Sequence, residues 1–149
     1  MKKGVQILVV DDEPIVRQSI TMLLEHDGHE VWQADSGEAA LSEMAKRRFD
    51  LVITDFSMPG MQGDQLVTRI RQMIPTQPII MITAFVEDYK VFGEASGRVD
   101  ALLDKPFTFQ ELREAIKRVL IQEQPDQRGD FLPIIKPPPP SDLIPPPEA

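Results

Sequence analysis

The chain has 149 residues, a net charge of −8, 42% apolar and 27% charged content, and no cysteine. That length suits one domain with a buried core, and the cysteine count excludes a disulfide framework or a thiolate metal site. An acidic chain without a basic stripe argues against a nucleic-acid partner, and no apolar run approaches the ~18 residues of a membrane span, so a cytoplasmic protein suited to Mg²⁺ and a protein partner is expected.

Residues 5–10 are apolar and β-branched, the signature of a buried strand. They end in Asp11, Asp12 and Glu13, and Pro14 then suits the first turn of a helix. Val16, Ile20, Leu23 and Leu24 share one face of that helix, which Asp27 and Gly28 stop. Residues 30–34 predict a short second strand. Ser36 is a candidate N-cap for a helix carrying Ala39, Ala40, Leu41, Met44 and Ala45. Lys46, Arg47 and Arg48 close it where the dipole favours cations.

Residues 51–54 predict a third buried strand ending at Asp55. Phe56 to Gly60 cannot extend it, because Pro59 lacks a donor and Gly60 frees the backbone. A helix over 63–73 follows, with Leu66, Val67, Ile70 and Met73 inward. Residues 79–83 predict a fourth strand ending in Thr83. A helix is expected over 87–96, weakened by Gly93. Residues 101–103 predict a fifth strand, followed by Asp104, Lys105 and Pro106. Thr108 and Glu111 match a capping box, opening a last helix with Leu112, Ala115, Ile116, Val119 and Leu120 on its apolar face.

Five strand–helix units in alternation imply an α/β fold with a parallel sheet covered on both faces. Beyond Gln124 the composition changes: nine of the 14 prolines fall there. Residues 123–149 therefore read as a Pro-rich tail or linker, extended or disordered. It carries apolar pairs at Phe131, Leu132, Ile134, Ile135, Leu143 and Ile144.

Ligands of open α/β sheets bind at the carboxyl edge of the strands. Asp11, Asp12, Asp55, Thr83 and Lys105 all fall at predicted strand ends. Three carboxylates meeting there repel one another, and a hard divalent cation such as Mg²⁺ relieves that. Asp55 could then act as a nucleophile on phosphorus. Lys105 and the Thr83 hydroxyl would balance the charge on the transferring oxygens. Taken singly, each has a plainer reading: Asp12 as a helix cap, Thr83 as a strand end, Lys105 as part of a surface turn.

The segments ILVVDDE at 7–13, DLVITD at 50–55, MPGM at 58–61, IMITA at 80–84 and DKPF at 104–107 resemble the receiver domain of two-component response regulators. The resemblance covers residues 3–122. It implies a flavodoxin-like five-stranded sheet of order 2-1-3-4-5. It further implies Asp55 as phosphoacceptor, Asp11, Asp12, Asp55 and the Ser57 backbone carbonyl as Mg²⁺ ligands, Thr83 as the switch hydroxyl and Lys105 as the phosphate contact. The implied donor is a sensor histidine kinase or a histidine phosphotransfer protein. The output is a changed contact with a downstream protein, through the tail or the face made by the fourth and fifth helices and the fifth strand. Such a switch is not a conventional enzyme; it acts only on its own phosphoryl group. The sequence departs from the family at Leu102, where an aromatic residue is common, and at Arg98 and Val99. Ser57 and Phe85 fall where phosphoryl lifetime is tuned. Two other readings stay open, a phosphate-independent interaction module and a Mg²⁺-dependent aspartyl phosphatase. Ser57 argues against the second, since such phosphatases carry an acid two residues after the nucleophile.

Overall fold

The computed structural model describes residues 4–84 and 99–121. The helix expected over 87–96 and the tail over 123–149 lie outside the described residues, as do Phe85 and Arg98. Five strands, β1 (Gln6–Val10), β2 (Glu30–Ala34), β3 (Leu51–Asp55), β4 (Ile79–Thr83) and β5 (Ala101–Asp104), form one parallel sheet of order β2-β1-β3-β4-β5. The helices described are α1 (Pro14–His26), α2 (Gly37–Lys46), α3 (Gly63–Met73) and α4 (Phe109–Ile121).

Strand periodicity of two explains the layers. Leu8, Val10, Val52, Ile79 and Met81 face one side, where Ala40 and Met44 of α2 and Leu66, Val67 and Ile70 of α3 cover them. Ile7, Val9, Leu51, Ile53, Ile80 and Ile82 face the other, under Ile20, Leu23 and Leu24 of α1 and Leu112, Ala115, Ile116 and Val119 of α4. β3 and β4 are buried along their whole length, as strands covered on both faces must be. β2 and β5 are the edges and are only partly buried, β5 in strict alternation.

The amino edge of the sheet is closed by side chains that double backbone bonds. Asp50 donates its N–H to the Gln6 carbonyl and accepts the Gln6 N–H on Oδ2, each at 2.8 Å. Asp100 does the same to Ile79, again at 2.8 Å each way. The third closure uses His29: its Nδ1 accepts the Val5 N–H at 3.1 Å, while Glu30 N–H donates to the Val5 carbonyl at 2.9 Å. Burial holds the His29 pKa below its usual value, which favours the neutral ring that this acceptor role needs. Asp100 also accepts from Arg71 Nη2 at 3.2 Å, and Arg71 Nη1 donates to the Gln77 carbonyl at 2.6 Å. Asp100→Ala should therefore cost about 2 kcal/mol, since it strands a donor at the head of a buried strand. Asp100→Asn, which keeps an acceptor, should cost less than half of that. Urea unfolding curves test this, and equal losses in the two variants would contradict it.

The caps follow expectation. Ser36 Oγ accepts from Ala39 N–H at 3.0 Å. Thr108 and Glu111 exchange bonds of 2.9 and 3.0 Å. Gly28, after α1, has φ of 95°, the left-handed value that suits glycine.

One residue assigned to an inward face points elsewhere. Met73 is 48% exposed; it ends α3, and the extended Ile74 that follows packs against the core in its place. Ala45 is exposed, because the last turn of α2 turns away from the sheet after Met44. Phe49 fills the space below and is buried, edge-on to Trp32. Of the departures noted above, Leu102 is half-buried and Val99 fully buried, both against the α2–α3 side.

Candidate functional site

Four strands deliver their ends to the opposite, carboxyl edge in register: Val10 lies beside Thr54, Asp55 beside Ile82, and Thr83 beside Asp104. Asp11 leaves β1 with its N–H on the Ala34 carbonyl at 3.1 Å, and its Oδ1 accepts the Glu13 N–H at 2.9 Å. Pro14 then starts α1 at once, so Asp11 and Asp12 stay at the sheet edge. Asp55 is the last residue of β3, and its neighbour Phe56 donates to the Ile82 carbonyl at 2.9 Å.

Asp11, Asp12 and Asp55 each offer a carboxylate oxygen, and these atoms all lie within 4.8 Å of one another. Asp11 and Asp55 are buried, Asp12 half-exposed. Lys105 reaches in from the loop after β5, with Nζ 2.9 Å from Asp55 Oδ1. Its backbone N–H donates to the Thr83 carbonyl at 2.8 Å, which ties the two loops together. Thr83 is buried at the end of β4. Ser57, two residues beyond Asp55, sits exposed on the loop between β3 and α3.

Burial pushes the Asp11 carboxyl up to about 6, and Asp55 and Asp12 add to the rise, while the Glu13 N–H and Lys105 oppose it. Burial likewise raises Asp55, against the bond and charge of Lys105. For Lys105, burial would lower the pKa, but its bond to Asp55 and the charges of Asp55, Asp11 and Glu13 outweigh it, so the ammonium is held. One ammonium thus faces three carboxylates. The donor set is all oxygen and short of positive charge, which fits a hard divalent cation.

The structure thus brings Asp11, Asp12, Asp55 and Lys105 together by distance, and Thr83 to the same edge by register. It adds residues that the sequence patterns did not single out. Arg17 reaches back from α1 to the Asp11 carbonyl. Gly63 lies against the Asp55 backbone. Neither carries a signal in hydrophobic periodicity, because each acts through a backbone group outside its own helix.

A sequence profile described as "Response regulator receiver domain" matches residues 7–117. The chain belongs to the response regulator receiver domain family, a family of phosphorylation-dependent signalling switches. It is 35% identical over 122 residues to the chemotaxis protein CheY-3 of Vibrio cholerae, covering 80% of this chain and 94% of that protein. It is 36% identical over 126 residues to the response regulator protein FleR of Pseudomonas aeruginosa, covering 84% of this chain but 26% of FleR. It thus spans nearly all of one relative and about a quarter of the other. Among solved structures, the response regulator TrrA of Thermotoga maritima, in complex with Mg²⁺ and BeF, matches with a TM-score of 0.69 at 34% identity, covering 79% of this chain and 99% of that one. Among the described residues, no helix is long and apolar enough to cross a membrane.

Proposed function

We propose that residues 3–122 form a receiver domain that accepts a phosphoryl group on Asp55 from a histidine kinase or a histidine phosphotransfer protein, and that residues 123–149 are a Pro-rich appendage to it. The observation that carries this reading is the meeting of three carboxylates within 4.8 Å, with Lys105 Nζ 2.9 Å from one of them. Asp11, Asp12, Asp55 and the Ser57 carbonyl would hold Mg²⁺, which when bound supplies positive charge against the phosphoryl oxygens.

A carboxylate oxygen of Asp55 donates the electron pair for a new O–P bond, while the P–N bond of the donor phosphohistidine breaks and its pair returns to the imidazole nitrogen. Lys105 opposes the burial that raises the Asp55 carboxyl, favouring its ionised form beforehand, and faces the added oxygens afterwards. The Thr83 hydroxyl donates to another. Because Lys105 N–H bonds the Thr83 carbonyl, a shift of either residue moves both loops, at the edge next to β5. That movement changes the contact with a downstream protein. Attack of water on the acyl phosphate returns free phosphate and resets the switch, so the chain catalyses only its own phosphorylation and dephosphorylation.

Intact-mass spectrometry after incubation with acetyl phosphate and Mg²⁺ tests this. Wild type should gain one phosphoryl group and Asp55→Ala none. An adduct of equal yield on both would remove Asp55 from the centre of the reading. The absence of any adduct, even with a phosphorylated histidine phosphotransfer protein as donor, would favour a module that works without phosphate.

A further inference from the structure

We infer that Arg17 is a positioning residue for the divalent cation: by holding the Asp11 carbonyl it sets how the Asp11 and Asp12 carboxylates face Asp55. The inference rests on the cation site proposed above. Arg17 Nη1 donates to the Asp11 carbonyl at 2.7 Å, and Nε donates to Gln33 Oε1 at 2.9 Å. The Arg17 backbone N–H also donates to the Glu13 carbonyl at 3.0 Å. One residue in the first turns of α1 therefore closes a ring around the loop that bears both acids.

The ring is anchored at the end of β2. Gln33 braces the guanidinium there, and the adjacent Ala34 accepts the Asp11 N–H at 3.1 Å. With Glu13 N–H on Oδ1, Asp11 is held at its amide, its carbonyl and its carboxylate. A fork of donors suits this task because it reaches two acceptors at fixed angles, which a single ammonium cannot do. Groups that orient a metal ligand without touching the metal are commonly worth about 10–100-fold in affinity.

Charge alone predicts the opposite sign. Removing a cation next to a cation site should tighten Mg²⁺ binding, whereas losing the brace should weaken it. The conservative variant separates the two further, since Arg17→Lys keeps the charge but not the fork.

The test is calorimetric titration of the full chain with MgCl₂ alone. We expect about tenfold weaker binding in Arg17→Ala, a clear weakening in Arg17→Lys, and a smaller one in Gln33→Leu, which removes only the brace. Binding that is unchanged or tighter in Arg17→Ala and unchanged in Arg17→Lys overturns the inference and leaves the proposed function standing. Should Arg17→Ala not fold, Arg17→Lys and Gln33→Leu decide it in the same way. Wild type that fails to take up Mg²⁺ would overturn the cation site itself, and the positioning role with it.

Discussion

Gly63→Ala is expected to lower stability by about 2–3 kcal/mol and to impair the site at the same time. A Cβ on Gly63 would stand 2.4 Å from the Asp55 carbonyl oxygen and 2.7 Å from Phe56 Cα. These are backbone atoms of a central strand, paired to β4 and followed by the Phe56 bond to Ile82, so no rotamer change relieves the contact. Gly63 N–H also donates to the Phe56 carbonyl at 2.8 Å, which holds α3 at this distance. Either α3 retreats and breaks that bond, or the Asp55 peptide rotates and moves its carboxylate. Gly60 is the control. Its φ of 76° leaves a side chain with nothing within 4 Å, so Gly60→Ala should cost only the left-handed strain of about 1–2 kcal/mol and leave the Asp55 peptide in place. Urea denaturation of both variants, with phosphoryl incorporation measured alongside, checks this. A Gly63→Ala protein within ~0.5 kcal/mol of wild type and with normal incorporation would show that the close approach has no consequence.

In Mg²⁺-free buffer, Asp11→Asn should be more stable than wild type at neutral pH by about 1–3 kcal/mol, yet should lose the stabilisation that Mg²⁺ confers. Burial raises the Asp11 carboxyl from 3.8 to about 6. A raised carboxyl binds its proton more tightly folded than unfolded. Its contribution is therefore fully present below about 4 and is lost as the pH rises through about 6. The advantage of asparagine should accordingly be small at about pH 4 and complete above about pH 7. Mg²⁺ works against that order, because it binds the ionised, folded site and stabilises it by about 2.7 kcal/mol at a hundred times its Kd, which offsets most or all of the asparagine advantage. That stabilisation should shrink below about pH 6, where a proton competes for Asp11. Unfolding followed by the single tryptophan, Trp32, with and without MgCl₂ across this range, would reveal it. An Asp11→Asn protein less stable than wild type without metal at neutral pH would mean that the buried Asp11 charge carries no net cost.

The second of these effects sets function against stability. The fold gathers carboxylates where burial and mutual charge cost free energy, which on the proposed function a bound cation would offset.

Much of this molecule could be read from the chain alone. Apolar runs at 51–54 and 79–82 without alternation marked strands covered on both faces, and Pro14, Gly28, Ser36 and Thr108 marked helix ends by local backbone chemistry. Asp11, Asp12, Asp55, Thr83 and Lys105 were legible because the end of a parallel strand is itself a position in space: every such strand delivers its last residue to the same edge. The order of the strands came from the family resemblance, since short-range patterning carries no information on which strand lies beside which.

What only the tertiary structure decided are the contacts in which a residue meets a backbone group outside its own helix or strand. Arg17 looks like any polar residue on the first turns of a helix until the Asp11 carbonyl is found 2.7 Å away. Asp50 and Asp100 lie just outside the predicted strands, yet each closes the head of a neighbouring strand. Gly63 reads as a weak helix start, and its missing side chain is what lets α3 approach Asp55. Met73 kept the helical period but found no core, because the helix ended there and Ile74 took the space. Periodicity records which face a residue belongs to, whereas hydrogen bonds and close approaches depend on the distance between elements, and that distance is set only when the two layers pack on the sheet.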